Sequence, residues 1–377
     1  MPDFLTGQNF QYDCEGNGAP SVIQLATAPG EARLVVIIQR GGMDALDAIQ
    51  PYSDPLLRQY RPTLNIGPNQ GAIDLNLNGQ WAMHEGMASL LPLWQAGELA
   101  FAQAVSTPYR DKRSHFDGQD ILESGTSTGK SSVGWLNRVV GLLPGATMQT
   151  AFASGYQRPL IATGDSPFSM WKPGLKVGLY AADLSLMQNV YGPDTLFKDA
   201  LDQAIAINAV VPATGATVTD ASFIAGRMLE DTRIATFSIA GWDTHGKQAE
   251  NLTLLLQELS GAILALKNGL SPAVWDNTAI IAITEFGRTA RENGSSGTDH
   301  GTGGAAIFAG GLVNGGKVYG VWPGLADLYA NRDLMPTGDV RRYPAWMLKS
   351  MFGLSDTQLT QVVFPGLEMG GCPGVTP

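Results

Sequence analysis

The chain reads as a doubly wound α/β protein, with a mostly parallel central sheet and helices on both faces. Three observations predict this. Residues 34–39 (LVVIIQ) and 278–284 (TAIIAIT) are short, β-branched, nearly continuous apolar runs, the pattern of a strand covered on both faces. Such runs alternate with segments of helical period. Polar, histidine-bearing motifs follow directly after them, where open α/β sheets bind ligands.

The elements follow in order. The strand at 34–39 ends in Arg40-Gly-Gly-Met-Asp44. From His84 to Ala96, the spacing of Met87, Leu90, Leu91 and Trp94 predicts a helix. Residues 99–105 (LAFAQAV) are a second strand. Ser114 is placed to cap a helix that runs to about Ser124, with Gly125 as its stop. Ile234 to Ala240 is a strand, followed by a long helix whose stripe is Leu252, Leu255, Leu256, Leu259, Ile263 and Leu266. The strand at 278–284 ends at Glu285, and Ala305 to Ala309 is a short strand after a glycine-dense loop. The stretch at about 145–230 is less regular and rich in Gly and Pro. It is read as an insertion or cap within a single domain spanning 31–377, with 1–30 an N-terminal extension.

Composition narrows the function. Hydrophobic residues make up 44% of the 377, enough for a sizeable core. The formal net charge is −10, without any basic run, which argues against non-specific nucleic-acid binding and against an anionic membrane surface. A bound cation can reverse the sign locally, so an anionic substrate stays open. No run of 18 apolar residues predicts a membrane span. Residues 1–30 have neither the basic start nor the apolar run of a signal peptide. The two cysteines, Cys14 and Cys372, are either separate thiols or one bridge between the ends of the chain. A bridge would imply an oxidising compartment.

The 4 histidines carry the functional signal. All sit in short polar motifs beside acidic residues: His84 before Glu85, His115 in Arg-Ser-His-Phe-Asp, His245 in Gly-Trp-Asp-Thr-His-Gly, and His300 in Gly-Thr-Asp-His-Gly. Imidazoles and carboxylates brought together from separate loops are a divalent-metal set. Asp243 and His245, two residues apart after a strand, point the same way if the chain stays extended; Asp243 could instead cap the long helix. Asp299 and His300 lie in a loop whose glycines permit close backbone approach. Glu285 needs a partner or an ion at the end of an apolar strand. Arg288 either pairs with it or clamps an anionic substrate oxygen. Asp44 is a ligand or a turn carboxylate, Ser114 a helix cap or an attacking hydroxyl, and His84 a helix-start residue rather than a ligand. No Walker loop, G-x-S-x-G elbow or dinucleotide fingerprint is present.

These motifs, in this order, resemble a bacterial family described only as domain of unknown function 1501. The match runs from about Leu34 to about Gly353 and includes LVVIIQRGGMDALDAIQPY, Arg61-Pro-Thr-Leu, RSHFDGQDILESG, GWDTH, TEFGRTARENGSSGTDHGTGG and GGKVYGVWPGL. The family is grouped with the alkaline phosphatase and sulfatase superfamily. That resemblance implies an alkaline phosphatase-like fold. It also implies divalent ions held by Asp44, Asp243, His245, Glu285, Asp299 and His300, with Phe286 standing where a histidine ligand is usual. Ser114 is the implied nucleophile, Thr107 its rival, and a water the alternative. Related chains commonly carry a twin-arginine export leader, which implies a periplasmic or secreted protein.

The resulting expectation is a metal-dependent hydrolase of phosphate or sulfate esters. It would act on a small-molecule or polymer-borne anionic ester and have no nucleic-acid partner. Zn²⁺ or Mn²⁺ suits mixed ligands, with Ca²⁺ or Mg²⁺ where oxygens dominate. Arg288 would hold a substrate oxygen and His115 would protonate the leaving group. The alternatives are a binding or scaffold protein with a degenerate metal site, or a non-hydrolytic metal enzyme.

Overall fold

The structure is a computed structural model describing residues 30–377 except 65, 77, 111, 129–130, 172–180, 195–197, 199–200 and 202–216. The N-terminal extension, with Cys14, lies outside the described residues. Twelve strands are described: β1 (Arg33–Arg40), β2 (Ile49–Gln50), β3 (Ile73–Asp74), β4 (Ala82–Met83), β5 (Leu99–Ser106), β6 (Ala151–Ser154), β7 (Ser169–Trp171), β8 (Ile234–Ala240), β9 (Thr278–Ile283), β10 (Gly304–Ala309), β11 (Lys317–Tyr319) and β12 (Gly338–Asp339). The central sheet runs β11-β5-β10-β9-β1-β8-β6-β7, with β12 also paired to β5. β1 lies mid-sheet, with Leu34 opposite Ile234 of β8 and Ala279 of β9, both parallel. Within this sheet only β10 runs against its neighbours, β5 and β9. A small antiparallel sheet, β2-β4-β3, stands apart.

The period-two side-chain alternation of β1 explains the two helical layers. Leu34, Val36 and Ile38 pack with Trp135, Leu136, Met347 and Leu348, from helices Trp135–Leu142 and Arg342–Phe352. Val35 and Ile37 pack on the other face with Leu252, Leu256, Leu259 and Ile263 of helix Gln248–Gly269. All five β1 side chains are fully buried, each contributing roughly 1.5–3 kcal/mol. This two-sided burial makes the strand read as a continuous apolar run.

Two expectations need correction. Residues 84–96 do not form one helix. A 3₁₀ stretch, Glu85–Leu90, passes into a short α-helix, Leu91–Gln95, because Pro92 lacks the N–H that a continuous helix would need there. The 145–230 stretch is not simply a cap. Its β6 pairs with β8 and its β7 with β6, so both extend the main sheet, and helix Thr217–Met228 contributes Ile224 and Met228 to the same core as helix Gln248–Gly269. Part of this stretch lies outside the described residues.

The turn after β1 brings the site loops together. Gly41 has φ +125, and a Cβ there would sit 2.5 Å from the Asp243 backbone nitrogen. Only glycine allows this turn to run against Trp242–Asp243.

Candidate metal centre

Four loops at the carboxyl end of the sheet converge. Asp243 and His245 follow β8, and Glu285 follows β9. Asp299 and His300 precede β10, which runs the opposite way and so begins at this edge. His115 opens helix His115–Ser124, which follows β5 and is capped by Ser114. Backbone contacts fix the loops to one another. Thr298 N donates to Thr244 O at 3.2 Å, Asn293 Nδ2 donates to His245 O at 2.9 Å, and Arg288 and His300 form a β-bridge. Gly297 is required in this packing, since a Cβ there would lie 2.4 Å from the His245 carbonyl carbon.

The imidazoles meet through Nε2. His115 Nε2 and His245 Nε2 each lie 3.0 Å from His300 Nε2. Asp243 closes the group: its Oδ1 is 2.9 Å from His300 Nε2 and 3.1 Å from His245 Nε2, and its Oδ2 is 3.4 Å from His115 Nε2. Ligand atoms of His115, Asp243 and His300 all lie within 4.8 Å of one another, a group that could hold a metal ion.

Every Nδ1 in the group faces an acceptor. His115 Nδ1 faces Glu285 Oε1 at 2.8 Å, His245 Nδ1 faces Asp299 Oδ1 at 3.0 Å, and His300 Nδ1 faces the Arg113 carbonyl at 3.0 Å. These acceptors place the proton on Nδ1 and leave each Nε2 lone pair aimed inward. Ring nitrogens presenting lone pairs 3.0 Å apart, beside a carboxylate, repel unless a cation sits among them. Tetrahedral Zn²⁺ with ligands at about 2.1 Å would hold its donor atoms about 3.4 Å apart, near the spacing found. An imidazole whose outer N–H is held by a carboxylate or carbonyl is the usual arrangement of a metal-bound histidine.

The electrostatics agree. His115 is raised above the usual imidazole range, chiefly by its hydrogen bond to Glu285, despite burial acting the other way. His300 is lowered, chiefly by burial. Burial alone would raise Asp243, but His300 and Arg288 outweigh it and hold the carboxyl at about 2. Phe286 packs against two of the imidazoles, with ring centroids 4.9 Å from His115 and 5.0 Å from His300. It walls the group on one side, while Asp243 and His245, at 42% and 44% side-chain exposure, open it to solvent.

Of the residues singled out from the sequence, Asp243, His245 and His300 come together as expected. His115 joins them, although it was expected to protonate a leaving group; with Nδ1 on Glu285 and Nε2 in the group, neither nitrogen is spare. Glu285 and Asp299 orient histidines instead of lying in the inner group. Glu285 is fully buried and accepts from Gly41 N at 2.8 Å and Gln119 at 3.1 Å as well as from His115. Burial raises its carboxyl, yet these hydrogen bonds leave it lowered overall.

Asp44 departs furthest from expectation. It is 0% exposed and caps helix Ala45–Ala48, and its Oδ1 accepts from Arg61 Nη1 at 3.0 Å. Its Oδ2 accepts from Gln248 at 2.8 Å and Thr298 at 3.1 Å. A guanidinium and two polar side chains thus take the place of an ion. Arg288 is not a substrate clamp either. It is 1% exposed and donates to the carbonyls of Gly42, Thr298, Gly41 and Trp242, and to Asp243 Oδ1 at 2.6 Å. Ser114 Oγ accepts from Asp117 N, as a helix cap does. Thr107 is buried and donates to the Glu285 carbonyl at 3.4 Å. His84 caps the 3₁₀ stretch through Nδ1. The sequence signal for His115 was present in the shared pattern of histidines beside acids. Arg61 carried no local mark of its buried partner.

Residues 185–356 match the family model described as Protein of unknown function (DUF1501). That region spans β8, β9 and β10 and holds Asp243, His245, Glu285, Asp299 and His300, while His115 comes from outside it. No curated protein matches the chain. Similar solved structures include the lipoteichoic acid synthase LtaP from Listeria monocytogenes, at 9% identity and TM-score 0.37, covering 86% of this chain and 73% of that one. A protein in the alkaline phosphatase superfamily from Vibrio parahaemolyticus has 13% identity and TM-score 0.36, covering 87% and 68%. The C-terminal periplasmic domain of EcEptC from Escherichia coli, in complex with Zn, has 11% identity and TM-score 0.31, covering 76% of each. These likenesses are loose, and the candidate metal centre rests on this chain's own residues.

Proposed function

We propose that this protein is a metal-dependent hydrolase of phosphate or sulfate esters. The observation that carries the metal is the inward-facing set of His115, His245, His300 and Asp243, with each Nδ1 already committed. Imidazole-rich donors favour Zn²⁺ or Mn²⁺ over Ca²⁺ or Mg²⁺. A bound ion would supply Lewis-acid polarisation of an ester oxygen and offset negative charge. The chain's own contribution is positioning. Glu285, Asp299 and the Arg113 carbonyl hold the imidazoles in one tautomer, and Arg288 holds Asp243. The motif resemblance supplies the reaction class, and the acidic chain gains a local attraction for anionic esters only where the ion sits.

With Ser114 serving as a helix cap and Thr107 buried against Glu285, water is the favoured nucleophile. Among the described residues, no helix is long and apolar enough to cross a membrane. Cys372 is disulfide-bonded, which fits the periplasmic or secreted location that the motifs imply.

The test is a screen of aryl phosphate, phosphodiester and sulfate esters with divalent metals added back. The expected result is hydrolysis of at least one class, abolished by Asp243→Ala and by His300→Ala and retained in Ser114→Ala. Loss of activity in Ser114→Ala at normal metal content would restore a serine nucleophile. No hydrolysis of any ester by metal-loaded protein would refute the reading.

A further inference from the structure

A cavity of about 650 Å³ lies along the same sheet edge, lined by Ser106 at the end of β5, by Arg110 beyond it, by Asp339, and by Arg342 at the start of helix Arg342–Phe352. Its donors exceed its internal partners. Arg110 spends only Nη1, on the carbonyls of Thr107 at 2.5 Å and Tyr109 at 2.7 Å; its Nε and Nη2 have no hydrogen bond among the described residues. Arg342 donates through Nε to Met369 O and through Nη2 to Gly371 O, both at 2.8 Å, which leaves Nη1. The Ser106 hydroxyl is buried, in a residue 5% exposed, without any hydrogen-bond partner among the described residues. The carboxylates nearby do not cancel this excess. Asp339 is engaged by Arg341, Nη2 to Oδ2 at 2.7 Å and Nε to both oxygens at 3.1 Å, while Glu368 is exposed. Two guanidinium edges and a buried hydroxyl facing one cavity suit an oxyanion, which accepts several charge-assisted hydrogen bonds at once.

We propose that this cavity binds the phosphate or sulfate group of an anionic small molecule, through Arg110 and Arg342 with Ser106 as a further donor. The site uses no residue of the metal centre, so it stands whether or not that centre hydrolyses esters. The volume exceeds that of the oxyanion alone and leaves room for an organic body.

Calorimetric titration with inorganic phosphate and with inorganic sulfate tests this, using the full chain in the His300→Ala background so that anion binding at the metal centre does not contribute. The expected result is saturable binding that weakens at least about tenfold in Arg110→Gln and in Arg342→Gln, the loss expected when a charged hydrogen-bond donor is removed. Arg110→Lys, which keeps the charge and loses the planar fork, should fall between. Unchanged thermal melting of these variants shows that they fold. Absence of binding in the His300→Ala chain, or affinity unchanged in folded Arg110→Gln, would overturn the proposal.

Discussion

The histidines show how much a single residue type can reveal. Each one stands beside an acid in the sequence, yet the acid that matters in the fold is a distant one. His115 takes Glu285, 170 positions away, and His245 takes Asp299, 54 positions away. Sequence adjacency therefore picked out residues that the fold brings together, but not the partners each one takes there. Carboxylates that fix metal-bound imidazoles typically contribute about 10–100-fold in metal affinity. Glu285→Gln should accordingly weaken Zn²⁺ binding by about that factor, measured by competition with a chromophoric chelator. Asp299→Asn should cost less, because its side chain is 49% exposed and water can replace it. Unchanged affinity in Glu285→Gln would show that Glu285 has no part in orienting His115.

At the scale of elements, the turn after β1 is the clearest departure from the sequence reading. Asp44 has the position and chemistry of a ligand, but Arg61, Gln248 and Thr298 saturate it inside the protein. No local pattern announces such a network, because its members come from four separated segments and meet only when the core forms. The helix over His115–Ser124 was legible down to its cap and its glycine stop, since both are local backbone needs. Asp44→Asn leaves Arg61 as a buried, unpaired charge, which should destabilise the fold by about 3–5 kcal/mol. Urea denaturation measures this directly. Metal affinity should survive in the folded fraction. A stable Asp44→Asn variant that no longer binds metal would return Asp44 to the ligand set.

For the molecule as a whole, the sheet was readable because its central strands are buried on both faces. β1 and β9 appear in the sequence as nearly continuous apolar runs, and β8 as one broken only by Thr236 and Ser238. The short outer strands β6, β7, β11 and β12 were not readable, as two to four residues carry too little pattern to separate from loop. The same architecture explains why the motif loops converge: loops at the carboxyl ends of parallel strands lie along one edge. The antiparallel β10 reaches that edge from the other direction and delivers His300 ahead of its first residue. The most direct test of the central claim is metal stoichiometry by elemental analysis, on protein purified without chelator or nickel resin and then loaded with Zn²⁺ and dialysed. The account predicts a tightly held ion in the wild-type chain, retained in Ser114→Ala and lost in His115→Ala, Asp243→Ala and His300→Ala variants that remain folded. A wild-type chain that cannot be loaded, or a His115→Ala variant that holds the ion as tightly as wild type, would contradict it.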